Sequence, residues 1–369
     1  MILFALPEVI EMSDKNKVIV AMSGGVDSSV AACLLKNQQY DCHGVTLKLY
    51  DEKNEENSAK SCCTDKDIED ARLVCEKLSM AFDVYDFKDD FKGEVIDRFV
   101  KGYLNGETPN PCIDCNRYIK FKHILKAADK FDAQYISTGH YACVEFDKSS
   151  GRYLLKKGKY DMKDQSYVLY SLSQDRLSRL LLPVGELTKD EVRQIAEDYG
   201  FINSAKPDSQ DICFVKNGDY VSFIENYCGK KFPEGDFVER NGKIIARHKG
   251  IIGYTVGQRK GLGIASTEPY FVLEKNVERN EVIIGRAEEQ YQKSILVNDV
   301  NWIAFERLTS PIKVGVKIRY RHKEVPATVS QYDEEKFLVE FEEAQRAPAK
   351  GQAAVFYDGD YVIGGGKIL

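Results

Sequence analysis

The sequence predicts an N-terminal α/β domain built on a doubly wound parallel sheet, then a small middle domain and a C-terminal antiparallel β-barrel. Strand and helix patterns alternate through the first half, which implies a parallel sheet with helices on both faces. From about Gly218 glycines become frequent and the apolar runs shorten. From about Leu296 apolar and polar residues alternate, as on half-buried antiparallel strands. The expected divisions are an extension over 1–16, a catalytic domain over 17–217, a middle domain over 218–295 and a barrel over 296–369.

Residues 17–22, KVIVAM, are short, apolar and β-branched, and predict the first strand. A glycine-rich turn follows, then a helix over 28–37. A second strand is expected over 45–49, and a helix over 65–78 with Ile68, Ala71, Leu73, Val74 and Leu78 on one stripe. The charged, apolar-poor stretch 51–60 between them predicts a loop. Next come a strand over 82–87, helices over 91–104 and 120–130, and a strand over 135–138 that ends in Gly139-His140. Further on, residues 243–245 and 270–273 predict short strands, and 314–320, 337–341 and 353–357 predict barrel strands. No internal repeat is present.

A chain of 369 residues can bury a sizeable core, and 43% apolar with 30% charged residues excludes a wholly disordered or fibrous protein. No apolar run approaches the roughly 20 residues of a membrane helix, and Leu180-Leu181-Leu182 stops at Pro183. The net charge of −6 argues against indiscriminate nucleic-acid binding but leaves room for a local basic face. Residues 241–267 contain no Asp or Glu, yet carry Lys243, Arg247, Lys249, Arg259 and Lys260, a pattern suited to phosphate contact or to an ordinary solvated loop. Ten cysteines in a long chain with no secretory pattern predict reduced thiols in the cytoplasm, where spaced cysteines suggest metal binding or catalysis. The apolar first ten residues have neither a basic leader nor a cleavage site, so a signal peptide is not expected; Met12, before a polar run, is an alternative start.

Ser23-Gly24-Gly25-Val26-Asp27-Ser28-Ser29 follows a predicted strand and opens a predicted helix. That context makes an anion site, because free N–H groups and the positive end of the helix dipole face the ligand. The glycines allow close backbone approach and the serines add donors. The bland alternative is a turn with a helix cap. The Gly-Lys-Ser/Thr ending of a Walker A loop is missing, and the glycine spacing is wrong for a dinucleotide fingerprint. The segment matches the PP-loop, SGGxDS, of the ATP pyrophosphatases, which cleave ATP between the α and β phosphates.

Thr108-Pro109-Asn110-Pro111-Cys112-Ile113-Asp114-Cys115 holds the one C-x-x-C of the chain, in a segment that two prolines predict to be a loop. Cys115 is expected just before a helix rich in basic side chains, a setting that favours the thiolate. A third signal is Cys213, after the polar stretch Lys206-Pro207-Asp208-Ser209-Gln210-Asp211-Ile212; alone, such a cysteine is more often a packed small residue.

Together these motifs resemble the bacterial tRNA-specific 2-thiouridylase family within the PP-loop ATP pyrophosphatases, over nearly the whole chain from Lys17. The likeness includes residues 21–29, 108–121, 137–141, 163–167, 182–187, 208–214, 257–263 and 351–359. Other PP-loop enzymes, the NAD, GMP and asparagine synthetases, lack the two-cysteine arrangement and usually need an ammonia source, for which no glutaminase domain is evident.

The resemblance implies an enzyme that thiolates the wobble uridine of lysine, glutamate and glutamine tRNAs, with ATP, Mg²⁺ and a persulfide donor protein as partners, and a monomer when free. It implies Cys213 as the persulfide carrier and Cys115 as the nucleophile. ATP contacts fall on Ala21, Met22, Ser23, Gly24, Gly25, Val26, Asp27, Ser28, Leu47 and Gly139, with Asp27 a candidate Mg²⁺ ligand. Contacts to tRNA fall on Asn110, Pro111 and Cys112 around the target base, and on His140, Lys163, Asp164, Gln165, Arg319, Tyr320 and Gln352. Many members have aspartate where Cys112 stands, so Cys112 is not expected to be the obligatory nucleophile. A disulfide between Cys115 and Cys213 is implied at the end of the cycle, which requires Cα atoms about 4.4–6.8 Å apart and hence loop movement on tRNA binding.

Two alternatives stay open. Cys112, Cys115 and Cys213 could hold an iron–sulfur cluster that delivers sulfur. Cys62, Cys63, Cys112 and Cys115 could instead hold zinc in a non-catalytic RNA-binding protein, though the adjacent pair is poor geometry and the PP-loop is then unexplained. Trp302 is expected in the barrel core, and His43, His123 and His248 show no metal-site spacing.

Overall fold

The structure, a computed structural model, describes residues 16–50, 64–207 and 211–369. The expected extension up to residue 15, the loop over 51–60, Cys62, Cys63 and residues 208–210 lie outside the described residues.

The first sheet contains β1 (Lys17–Ala21), β2 (Asp41–Lys48), β3 (Ala81–Asp86), β4 (Tyr135–Ser137) and, beyond a hairpin of β5 (Ala142–Asp147) and β6 (Arg152–Lys157), the short β7 (Leu180–Leu181). The order is β3-β2-β1-β4-β7 and every pairing is parallel. Val18, Ile19 and Val20 are wholly buried, which explains the unbroken apolar run of a strand covered on both faces. The strand order reverses between β1 and β4, and ligands of open α/β sheets bind beyond the strand ends at such a point.

Several local expectations shift. The first helix is Val26–Asn37, with Gly25 as its N-cap, so Ser28 lies inside the first turn. The polar start Asp41-Cys42-His43 hid four residues of β2, which pair in register with β1 from Lys17. The proline-rich segment is a loop only as far as Asn110. Pro111 is the first residue of the helix Pro111–Asp114, and Asn110 Oδ1 accepts from the Cys112 amide at 3.1 Å. A π-helical stretch over Cys115–Lys120 continues into the helix Phe121–Lys130. Cys115 therefore sits within a continuous helical path, not ahead of one. A second π stretch, Lys92–Ile96, packs nearby, with Arg98 over the Tyr118 ring at 4.4 Å.

The middle domain opens with the helix Tyr220–Cys228, capped by Asp219. It continues with β8 (Gly235–Val238), β9 (Ile244–His248), β10 (Phe271–Asn276) and β11 (Glu281–Gly285), in the order β10-β11-β8-β9, where β11 and β8 are parallel.

The C-terminal strands are β12 (Tyr291–Trp302), β13 (Ile312–Lys317), β14 (Val325–Gln331), β15 (Phe337–Arg346), β16 (Ala353–Asp358) and β17 (Tyr361–Ile368). They run β12-β15-β14-β13-β16-β17, and β12 also pairs β17, which closes the barrel. Burial alternates along β13 and β14, as a filled barrel requires. Trp302 is half-buried, tilted against Phe305 and edge-on to Phe337. The β5–β6 hairpin, which no sequence pattern flagged, adds to the outside of this sheet through Val362↔Leu155.

Candidate active site

The loop after β1 has the geometry of an anion cradle. Gly24 has φ +72°, and a Cβ there would lie 2.2 Å from the Asp67 carbonyl oxygen. Gly139, after β4, lies against the start of the first helix; a Cβ would come within 2.6 Å of the Ser28 nitrogen. The loop is braced from within: Ser28 Oγ donates to the Gly25 carbonyl at 3.0 Å and accepts from the Ser23 amide at 3.2 Å. No side chain caps the helix, so its first turn offers backbone N–H groups towards the β1/β4 crevice. Ala21, Met22, Ser23, Gly25 and Val26 form this turn, and the Met22 amide is tied to the Val45 carbonyl at 2.9 Å. Leu47 lies on the neighbouring β2 and is buried.

Asp27 fits magnesium poorly in this arrangement. Its Oδ1 accepts from Tyr141 Oη at 2.7 Å and from Lys189 Nζ at 2.6 Å, so its charge is already matched. Neither partner was assigned from the sequence, although Tyr141 ends the STGHY stretch.

The segment leading to Cys213 is fastened to the same loop. Lys206 Nζ donates to the Gly24 carbonyl at 3.0 Å and to Asp70 at 2.8 Å, and it also pairs with Asp67. Asn203 Nδ2 donates to the Gly24 carbonyl and to Ser29 Oγ. Burial pulls the Lys206 ammonium down, but its bonds to Asp67 and Asp70 outweigh that and raise it overall. These residues were missed because polar side chains far apart in sequence carry no spacing signal.

Each described cysteine is a free thiol. Cys112 is exposed and Cys115 is buried. Cys115 belongs to an apolar cluster with Ile113 and Ile119, and Ile212 and Cys213 pack on the same cluster. Phe214 anchors that end, 5.2 Å from the Phe99 ring. Burial pushes the Asp114 carboxyl up to about 6, against the opposing pull of Arg98, Lys367 and Arg117. Among the described residues no three His, Cys, Asp or Glu side chains converge as a metal site.

The residues expected at a tRNA surface divide into two groups. Lys163 is half-buried, Tyr320 is 38% exposed, and Lys243, Arg247, Lys249, Arg259 and Lys260 are all exposed. Asp164, by contrast, is buried and accepts from the amides of Gly158 and Ser166. Gln165 Oε1 accepts from the Tyr141 amide at 2.9 Å. Arg319 Nη2 donates to the carbonyls of Val256 and Ala347, joining the middle domain to the barrel. Gln352 Nε2 donates to the Thr108 carbonyl. His140 shares a 2.7 Å hydrogen bond with Thr138, and burial, with Lys120 beside it, lowers its imidazole to about 3. Among the described residues no helix is long and apolar enough to cross a membrane.

Comparison with known proteins adds the following. Residues 16–217 match the family described as tRNA methyl transferase HUP domain, 221–286 its PRC-barrel domain, and 292–368 the aminomethyltransferase beta-barrel domain. The tRNA-specific 2-thiouridylase MnmA of Clostridioides difficile is 48% identical over 96% of this chain and 98% of its own. That of Lachnoclostridium phytofermentans is 49% identical over 96% and 99%. MnmA 1 of a Thermoanaerobacter species is 46% identical over 97% and 99%.

Proposed function

The chain belongs to the tRNA-specific 2-thiouridylase family, and from that premise we propose how its residues divide the work. It is a tRNA sulfurtransferase that makes 2-thiouridine. The wobble uridine of lysine, glutamate and glutamine tRNAs is the target, in the cytoplasm, and the free enzyme is a monomer.

ATP binds at the β1 loop. The helix N-terminus that no side chain caps, with Gly24 and Gly139 closing on it, is the observation that carries this reading. Ser23, Gly25 and Ser28 contact the phosphates, Ala21, Met22 and Val26 shape the turn, and Leu47 and Gly139 flank the nucleoside. Uridine O2 attacks the α-phosphorus and pyrophosphate leaves, so a poor leaving group becomes AMP. Mg²⁺, when bound, offsets charge on the departing pyrophosphate.

Sulfur comes from a persulfide on Cys213, loaded by a desulfurase or relay protein. Its terminal sulfur attacks C2 and expels AMP. The Cys115 thiolate then attacks the Cys213 sulfur, which breaks the S–S bond, leaves the thiocarbonyl on the base and joins the two cysteines. A thiol reductant resets the pair. In a variant of this route Cys115 attacks first and releases hydrosulfide, which then attacks C2. Asn110, Pro111 and Cys112 surround the flipped base. His140, Lys163, Asp164, Gln165, Arg319, Tyr320 and Gln352 shape the tRNA surface, several of them by fixing the backbone beneath it.

The test is nucleoside mass spectrometry of unmodified lysine tRNA incubated with the protein, ATP, Mg²⁺, and cysteine with a cysteine desulfurase as the persulfide donor. Product is expected from the wild type and Cys112→Ser, and none from Cys115→Ser or Cys213→Ser. Loss in all three variants would transfer the role to a three-thiolate cluster, and AMP without thiolated base would reopen the substrate.

A further inference from the structure

The barrel grips the helix that carries Cys115 at two points. Two residues beyond Cys115, Arg117 forks onto Asp299: Nη2 donates to Oδ1 at 2.8 Å and Nη1 donates to Oδ2. A planar fork of this kind fixes orientation as well as distance. Asp299 has φ +48°, a left-handed backbone uncommon outside glycine. It lies where the β12–β17 register breaks, between Asn298 and Asn301. From the same bulge Asn301 Nδ2 donates to the carbonyls of Tyr170 and Leu172, and Arg176 Nη1 donates to the Arg117 carbonyl at 2.6 Å.

The second grip is upstream. Gln352 Nε2 donates to the Thr108 carbonyl at 2.6 Å, and the Thr108 amide donates to the Lys350 carbonyl at 2.7 Å. Lys367 pairs with Glu107 at 2.8 Å, and Lys275 of the middle domain donates to the Glu107 carbonyl at 3.2 Å. Residues 107–108 and 117 thus bracket the segment from Asn110 to Cys115.

The Asp299 side chain is 53% exposed, and an ion pair so exposed adds little to stability. A bulge that keeps an aspartate left-handed to make such a pair is holding geometry. We propose that Asp299 is a positioning residue for sulfur transfer, through which the barrel holds the Cys115 helix in place. This rests on the role given to Cys115 above.

The experiment uses the full chain with Asp299→Asn and Arg117→Gln. Three quantities are read: kcat and KM for thiolation of unmodified tRNA, AMP formation, and the rate at which iodoacetamide alkylates Cys115, followed by peptide mass spectrometry. Each variant is expected to lose at least tenfold in kcat, with KM for tRNA within twofold. Cys115 is expected to be alkylated at least fivefold faster because the helix is released. Exchanging the charges, Arg117→Asp with Asp299→Arg, is expected to recover much of both losses. Unchanged kcat and alkylation would overturn the proposal. A loss carried by KM would instead make these residues tRNA contacts, and a fall in Tm with equal loss of AMP formation and no recovery would make them merely structural. If the wild type makes no 2-thiouridine, the functional reading fails, while the alkylation rates still decide whether the barrel holds the helix.

Discussion

The Lys206 ammonium lies 2.8 Å from the Asp70 carboxylate and, on the same nitrogen, 3.0 Å from the carbonyl of Gly24. One side chain thereby ties the β1 loop, the helix Asp65–Lys77 and the segment that leads to Cys213. Lys206→Met leaves Asp67 and Asp70, both mostly buried, without their shared cation, while Asp67 keeps its bonds from Thr64. We expect a loss of about 2–3 kcal/mol by urea unfolding, below the usual figure for a buried pair because Lys206 is partly solvated. Adding Asp70→Asn to this variant is expected to recover part of it; no recovery would mean that the clamp carries little electrostatic weight.

Gly139→Ala is expected to abolish adenylation without unfolding the chain. The new methyl would press on the backbone of Asp27 and Ser28, in the first turn of the helix, where phosphate is proposed to bind. Gly24→Ala adds a strained φ to a clash with the Asp67 carbonyl and should be worse. AMP formation from saturating ATP, with circular dichroism as the folding control, reads both; activity within threefold of wild type for Gly139→Ala would remove that glycine from the nucleotide site.

Asp114 gives stability a sign with pH. Its folded value near 6 lies above the ordinary 3.8, with burial the main cause. Between those values the folded chain holds a proton that the unfolded chain has released, so this contribution is complete below about pH 4 and fades as pH rises to 6. Asp114→Asn is therefore expected to raise stability at pH 7.5 by about 1–2 kcal/mol and to flatten the profile between pH 4 and 6. Denaturant melts at pH 4, 5, 6 and 7.5 would show it, and an unchanged slope would exclude a buried charge at this position.

His140 acts in the opposite direction. Burial holds it neutral down to about pH 3. An unfolded imidazole takes up a proton below about 6.5, so stability falls as pH drops through that value. His140→Gln should lose less stability than wild type between pH 6.5 and 4. In the wild type the His140 imidazole resonances should stay unshifted from pH 8 to 5, and a titration midpoint near 6.5 would refute the burial argument.

The sequence alone determined the alternation that makes a parallel sheet, the β1 loop with its glycines, the three cysteine signals and the antiparallel barrel. All are local patterns, set by side-chain periodicity or by the backbone freedom of neighbouring residues. Only the tertiary structure decided that Pro111 begins a helix, because an asparagine cap and the packing of Ile113 and Ile119 outweigh the loop tendency of two prolines. It also decided that the β5–β6 hairpin joins the barrel, that Lys189 meets Asp27, and that Arg117 meets Asp299 across 182 positions. Ion pairs and sheet edges of this kind depend on which surfaces the chain brings together, and an exposed-looking lysine or aspartate has the same local signature whether it faces solvent or a partner.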